Sequence, residues 1–263
     1  MNPTHTVRCR TAWLSDIHLG NKDCKAAYLI DFLRRLDCER LYLVGDIVDL
    51  LAMRRRVHFS GDHYQVLCEI RRLADAGTQV IYVPGNHDAE LRDFVGSNLL
   101  NIEVHRQFNH ETVDGRRLLI IHGDELDHVV VYHNFIRLIG DHAYNLMAFM
   151  NRWVARGRRL LGFNYWSLAT YLKTHLAQAR KSIDIFERAA AALAARGGFD
   201  GVVCGHIHKA EIRTIDGVLY CNDGDWTESC TALVESDTGD LQILHWIEQP
   251  STLKTQPPLA AAA

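Results

Sequence analysis

Five short stretches set carboxylates, imidazoles and one carboxamide directly behind apolar runs: Asp16-Ile17-His18, Gly45-Asp46-Ile47-Val48-Asp49, Gly85-Asn86-His87-Asp88, His122-Gly123-Asp124 and Gly205-His206-Ile207-His208. In an extended segment residues i and i+2 point to one side, so Asp16 with His18, and His206 with His208, can each grip one cation. The donors are oxygen and nitrogen without a thiolate, a set that suits Mn²⁺, Fe²⁺ or Zn²⁺. There are enough of them for two divalent ions. Asp46 is the natural bridge, because a carboxylate has two oxygens and its charge offsets repulsion between cations. Two adjacent metals activate a shared nucleophile and clamp the oxygens of an in-line displacement at phosphorus. His87, beside the candidate ligand Asn86, is placed to stabilise the transition-state charge or protonate a leaving oxygen, with Asp88 fixing its tautomer, and Asp49 is expected to support His87 or a ligand from behind. Any one of these motifs is often structural. Five, in order, each behind a strand-like run, are a strong signal.

The elements that must position these residues follow from hydrophobic periodicity. Val7 to Leu14, Leu41 to Val44, Gln79 to Val83, Leu118 to Ile121 and Gly201 to Cys204 read as strands, and open α/β sheets place ligands at the carboxyl ends of such strands. Lys25 to Leu36 and His63 to Ala76 carry helical spacing, the second stopped by Gly77. Val113-Asp114-Gly115-Arg116 reads as a hairpin turn. Glu211 to Ile215, Val218 to Asn222, Thr231 to Val234 and Leu241 to Trp246 are short strands whose turns suggest an antiparallel meander. The expected fold is α/β, with helices and strands layered around one core at residues 1–125 and 199–247. Residues 126–198 are expected to form a helical insert, and residues 248–263 a disordered tail.

The insert is basic. Ten Lys and Arg stand against four Asp and Glu between positions 126 and 198, a net of +6, so the rest of the chain carries -9 to reach the overall -3. Its aromatic and leucine content with this charge suggests a lid that admits acyl chains or rests on an anionic membrane surface. A helical pair packed on the core with solvated arginines is the alternative. Arg54 and Arg55, just beyond the Asp46 motif, and Lys173 and Arg180 in the insert are candidates to meet substrate phosphates.

The set D-x-H, G-D-x-x-D, G-N-H-D, H-G-D and G-H-x-H resembles the calcineurin-like metallophosphoesterases, over Ser15 to His208. The resemblance implies a two-sheet β-sandwich flanked by helices, with a dinuclear site at one edge. It implies one metal on Asp16, His18, Asp46 and His208 and a second on Asp46, Asn86, His122 and His206, with His87 catalytic. Within that family the chain is similar to the UDP-2,3-diacylglucosamine diphosphatases of lipid A synthesis, in length, in the helical insert and in Gly224-Asp225-Trp226. This group attacks the α-phosphorus of a pyrophosphate and releases UMP. Its best-known branch has arginine where this chain has His87, glutamate where it has Asp49, and an Asn/Ser-rich segment that this insert lacks. The resemblance to the group, these departures aside, implies an anionic nucleotide-sugar lipid as substrate and manganese as the favoured metal. Another phosphodiester, such as a cyclic nucleotide, is the alternative substrate. A catalytically silent scaffold is disfavoured because every motif position is filled.

Bulk properties bound the rest. Hydrophobic residues at 48% and charged residues at 23% describe an ordinary globular chain. Seven scattered cysteines without a C-x-x-C pair suit a reducing cytoplasm, most of them as small buried hydrophobes. The first ten residues lack the apolar run of a signal peptide, and no stretch approaches a membrane span. The expected location is cytoplasmic, peripheral at the inner membrane face if the insert binds lipid. The net acidic charge argues against a nucleic-acid partner. The oligomeric state is left open. His5, His58, His63, His105 and His110 are expected at the surface.

Overall fold

A computed structural model of the chain describes residues 6–127 and 177–248. Two mixed sheets lie face to face. The first has seven strands in the order β12-β11-β1-β2-β3-β5-β4, and the second five in the order β6-β7-β8-β10-β9. Their ranges are β1 Val7–Leu14, β2 Leu36–Val44, β3 Gln79–Val83, β4 Asn98–Leu99, β5 Ile102–Val104, β6 Phe108–Glu111, β7 Arg117–Ile120, β8 Gly201–Cys204, β9 Glu211–Ile215, β10 Val218–Asn222, β11 Thr231–Glu235 and β12 Leu241–His245. The central strands β1, β2, β3 and β5 are mutually parallel, as are β7, β8 and β10, while the outer strands run antiparallel. The functional ends of the parallel strands are thereby gathered at one edge.

Strand periodicity sorts the core into layers. Trp13, Tyr42, Val44, Ile81 and Val83 of the first sheet meet Leu118, Ile120, Val203 and Cys221 of the second, forming the layer between the sheets. Their alternates Ala12, Leu14, Leu41, Leu43 and Val80 face outward onto Leu29, Leu33, Val66, Ile70 and Leu73, which belong to helices α1 (Ala26–Arg35) and α3 (Gly61–Asp75). The other outer face, with Leu119, Val202, Cys204 and Tyr220, is covered by Phe186, Ala190, Ala191 and Ala194 of helix α4 (Ala177–Arg196). Continuous apolar runs occur in β2 and β8 because both faces of these strands are buried.

Some expectations change. Leu36 is the first residue of β2, not the last of the helix before it, and β2 runs nine residues. The expected meander is divided: β9 and β10 extend the second sheet, whereas β11 and β12 extend the first beside β1. Short strands β4, β5 and β6 and the six-residue helix α2 (Leu50–Arg55) were not foreseen. Of the five histidines expected at the surface, His63 and His110 are buried and His105 is half-buried. His110 lies between the sheets, where its Nε2–H donates to Glu235 Oε2 at 3.0 Å and its Nδ1 accepts from the Tyr42 hydroxyl at 3.1 Å. His63 Nδ1 accepts the Gly20 N–H at 3.2 Å. Of the segment expected to form an insert, residues 128–176 lie outside the described residues, as do His5 and residues 249–263 of the expected tail. Residues 177–196 form α4, with Ile183, Phe186, Glu187 and Ala190 buried and Arg180, Lys181 and Arg188 exposed.

Candidate metal centre

The donors sit on loops that leave the parallel strands. Beyond β1, Asp16 and His18 run alongside the loop after β2: their N–H groups donate to Gly45 O and Asp46 O, and Leu19 N–H to Ile47 O. Gly45 has φ +81, and a Cβ there would lie 2.2 Å from His122 Nδ1, so only glycine admits the imidazole from the second sheet. Asp16, His18, Asp46, His206 and His208 all have φ between +49 and +68. Left-handed backbone at non-glycine residues is costly and clusters where function demands a fixed direction.

Asp16 and His122 are fully buried, and His18 and Asp46 nearly so, at 6% and 2% exposed. The imidazoles are oriented from behind. His122 Nδ1–H donates to the Val44 carbonyl at 2.8 Å, and His18 Nδ1 lies 3.3 Å from Asp49 Oδ2. Each ring therefore turns Nε2 inward. His122 Nε2 lies 3.4 Å from Asp46 Oδ2, and His18 Nε2 lies 3.9 Å from the same oxygen and 3.8 Å from Asp16 Oδ1. His208 Nε2 approaches Asp16 Oδ1 at 2.9 Å. His18 Nε2, His122 Nε2 and Asp16 Oδ1 are buried without a well-directed hydrogen bond. Separations of 3.4–3.9 Å are long for hydrogen bonds, but suit ligand atoms sharing a cation at ~2.0–2.2 Å each. Orphaned, preoriented lone pairs around buried carboxylates are what a divalent-ion site requires, and the residues present fit one.

The electrostatics agree. Burial acts to raise the Asp16 and Asp46 carboxyls, yet His208, His122 and His18 around the first and His122 and His18 around the second hold both well below the usual range. Burial acts to lower His122, but Asp46 and Asp16 push it well above an ordinary imidazole. The edge is an anionic well that protons or metal cations must occupy.

His87 and Asp88 fall in different places. His87, partly exposed at the mouth, places Nδ1 2.8 Å from Asp49 Oδ1. Desolvation would lower its pKa, but Asp49, with Asp46 and Asp16 behind it, raises it. Asp88 does not orient the His87 ring, as the sequence suggested. It is buried, accepts the N–H groups of Gly85 and Ile47 at 2.6 and 2.8 Å and takes the Tyr82 hydroxyl, joining the loops after β2 and β3. Asn86 is exposed beside His87, whose backbone N–H donates to Asp46 Oδ1 at 2.8 Å. His206 donates its backbone N–H to Asp16 Oδ2, while its Nε2 lies 2.7 Å from Asp127 Oδ1. Arg54 is paired with Glu90, Arg180 is exposed on α4, and Lys173 lies outside the described residues.

Three participants, Ser15, Asp223 and Asp127, escaped the sequence reading. Ser15 Oγ lies 2.6 Å from both Asp16 Oδ2 and Asp223 Oδ1. One hydroxyl hydrogen cannot serve two carboxylates, so one carboxyl brings its own proton. Burial pushes the Asp223 carboxyl well above the usual range. The signal was present, since Asp223 follows an apolar strand as the other motifs do. Asp127 gave none, being 79 positions from His206.

The calcineurin-like phosphoesterase profile matches residues 9–210, most of the chain and all five motifs. The chain belongs to the calcineurin-like phosphoesterase family. As a member it is a metal-dependent phosphoester hydrolase. The phosphoesterase is 29% identical over 231 residues to a UDP-2,3-diacylglucosamine hydrolase of Chromohalobacter salexigens, covering 79% of this chain and 84% of the relative. It is 27% identical over 243 residues to the protein of the same name from Neisseria meningitidis serogroup B, covering 86% and 93%. Among solved structures, an archaeal phosphodiesterase aligns with TM-score 0.41 and 15% identity over 89% of this chain and 98% of its own. No helix among the described residues of the phosphoesterase is long and apolar enough to cross a membrane.

Proposed function

We propose that this phosphoesterase hydrolyses the pyrophosphate of UDP-2,3-diacylglucosamine to UMP and 2,3-diacylglucosamine 1-phosphate. Support for the chemistry rests on one observation: the buried His18 Nε2 and His122 Nε2, without well-directed hydrogen bonds, converge with Asp16 Oδ1 around Asp46. Support for the substrate is the shared length and coverage with relatives that carry that name. Asp16, His18, Asp46 and His208 would hold one divalent cation, and Asp46, Asn86, His122 and His206 the other; the mixed oxygen and nitrogen donors suit Mn²⁺, Fe²⁺ or Zn²⁺, and Mn²⁺ is the ion proposed. Bound there, the pair supplies an attacking water of lowered pKa and positive charge facing the phosphoryl oxygens.

The chain's own residues do the rest. Asp49 receives the His87 Nδ1–H and stabilises the charged imidazole, leaving Nε2 free to give a proton to the departing oxygen. Asp88 and Gly85 hold Asp46 and His87 in register through the loops they join. Residues 126–198, with their net charge of +6, would meet the acylated, anionic substrate and an anionic bilayer at its surface. Flotation with anionic vesicles at low and high salt tests that contact, and absence of binding at both would remove it.

A second reading keeps the chemistry on a simpler diester such as a cyclic nucleotide. It is favoured by the pairing of Arg54 with Glu90, which neutralises a cation otherwise available to a diphosphate. The deciding experiment is a substrate panel with Mn²⁺: the acylated UDP-sugar, bis-p-nitrophenyl phosphate and cyclic nucleotides. UMP release from the lipid is expected to be the fastest reaction. A rate no better than that of the generic diester overturns the substrate assignment and leaves the metal centre untouched.

A further inference from the structure

The geometry points to Asp127 as the positioning residue for His206: it holds the imidazole by Nε2–H, so that Nδ1 is the nitrogen presented to the metal centre. This rests on the reading of His206 as a metal ligand. Asp127 Oδ1 lies 2.7 Å from His206 Nε2, and an ionised carboxylate can only accept, so that nitrogen carries the hydrogen. The other ring nitrogen then keeps its lone pair. A ligating imidazole whose remote N–H meets a carboxylate has a fixed tautomer, a fixed ring plane and a more basic ligand atom.

His122 obtains the same service from a backbone carbonyl and His18 from Asp49. His206 projects from a loop and needs a partner from elsewhere in the fold. That partner is held firmly. Asp127 closes a single 3-10 turn, Asp124–Leu126, its N–H donating to Asp124 O at 3.1 Å. Arg92 grips Asp124 by two bonds of 2.7 and 2.8 Å, and Leu126 is buried against α4 and the second sheet. The ring itself is confined by His122, edge-on at 5.2 Å, and by Phe186 at 5.9 Å. Rotation about its last bond is the freedom left, and Asp127 removes it. A carboxylate about one-third exposed orients without being committed to the ion.

The opposite role would have Asp127 hold His206 away from the ion as a competitor. Metal titration separates the two. Mn²⁺ binding to the full chain is measured by calorimetry and by elemental analysis after dialysis, for the wild type and for Asp127→Ala and Asp127→Asn. The expected result is two ions in the wild type and a loss of about 10–100-fold in affinity at one site in Asp127→Ala. Asp127→Asn, which keeps an acceptor oxygen, should recover part of it. Long-range ¹⁵N–¹H spectra of metal-free protein should show His206 as the Nε2–H tautomer in the wild type and a tautomer mixture in Asp127→Ala. Unchanged or tighter binding in Asp127→Ala, or an equal loss at both sites, overturns the proposal. Failure of the wild type to bind Mn²⁺ would instead overturn the metal centre itself.

Discussion

Asp46 is where the two sheets share a charge: one oxygen faces His18 from the first sheet and His122 from the second, and the other takes the His87 N–H. Asp46→Asn keeps the shape and removes the charge, so it should lose both bound metal and activity; retention of two ions by elemental analysis would refute the shared role. His87→Ala should keep both ions, with kcat down about 10²–10⁴-fold, the usual contribution of a positioned general acid. Gly85→Ala tests the packing around Asp46, since a Cβ would stand 2.3 Å from Asp46 Oδ1. That variant should fold yet lose metal affinity, read by the same Mn²⁺ titration. The donor types were legible in the sequence because each follows a strand, and a strand end fixes where its next polar residue stands. The orientation of His87 was legible in part: Asp49, 38 positions away, meets the ring as expected, whereas the chain neighbour Asp88 does not, since adjacent residues seldom face each other. Nor do residue types announce left-handed backbone at five of the donors.

Beyond the metal centre, β11 is fastened to its surroundings by Glu235. This fully buried carboxylate accepts from His110 on β6, Thr11 on β1 and the Val113 N–H of the β6–β7 turn, at 3.0, 2.9 and 2.8 Å, and pairs with Arg10 at 3.3 Å. Burial acts to raise its pKa, but the donors outweigh it and the net shift is downward. A carboxyl with a depressed folded pKa adds stability above its unfolded value, about 4.3, and loses it as pH falls through the folded pKa. Wild-type urea midpoints should therefore drop more steeply from pH 5 to pH 3 than those of Glu235→Gln. Parallel profiles would show that Glu235 gains nothing from its ionised state. Glu235→Ala, which strands His110 and Arg10, should cost about 3–5 kcal/mol. The strands of this region were legible from alternation and from the Asp114-Gly115 turn. Their assignment to sheets was not, because a hairpin signal names the neighbour in the chain and says nothing about the sheet it joins. The burial of His110 was hidden for the same reason: its partners are 68 and 125 positions away.

At the scale of the whole molecule, the proposed centre draws its donors from both sheets, so metal binding and folding are linked. Saturating Mn²⁺ at ~100 times Kd stabilises by about 2.7 kcal/mol per site, a rise in thermal midpoint of roughly 5–10 °C for a domain of this size. A chelator should reverse it, and scanning calorimetry with and without excess EDTA measures the difference. Identical midpoints would mean that no ion bridges the sheets. Fold class and motif order were legible together because a parallel strand buried on both faces has a distinctive apolar run. The register between the sheets, which decides that Gly45 faces His122, arises from packing over long separations. The place of β11 has a consequence for synthesis. β1 sits inside the finished sheet between β2 and β11, and it is synthesised long before β11. Until residues 231–235 emerge, one side of β1 is an open row of unpaired amides beside apolar side chains, inviting association with other nascent chains. This sheet is thus most exposed in the interval between the synthesis of β1 and that of β11. Chains released in that interval should be recovered in aggregates, whereas the full chain, once β11 closes the gap, should not.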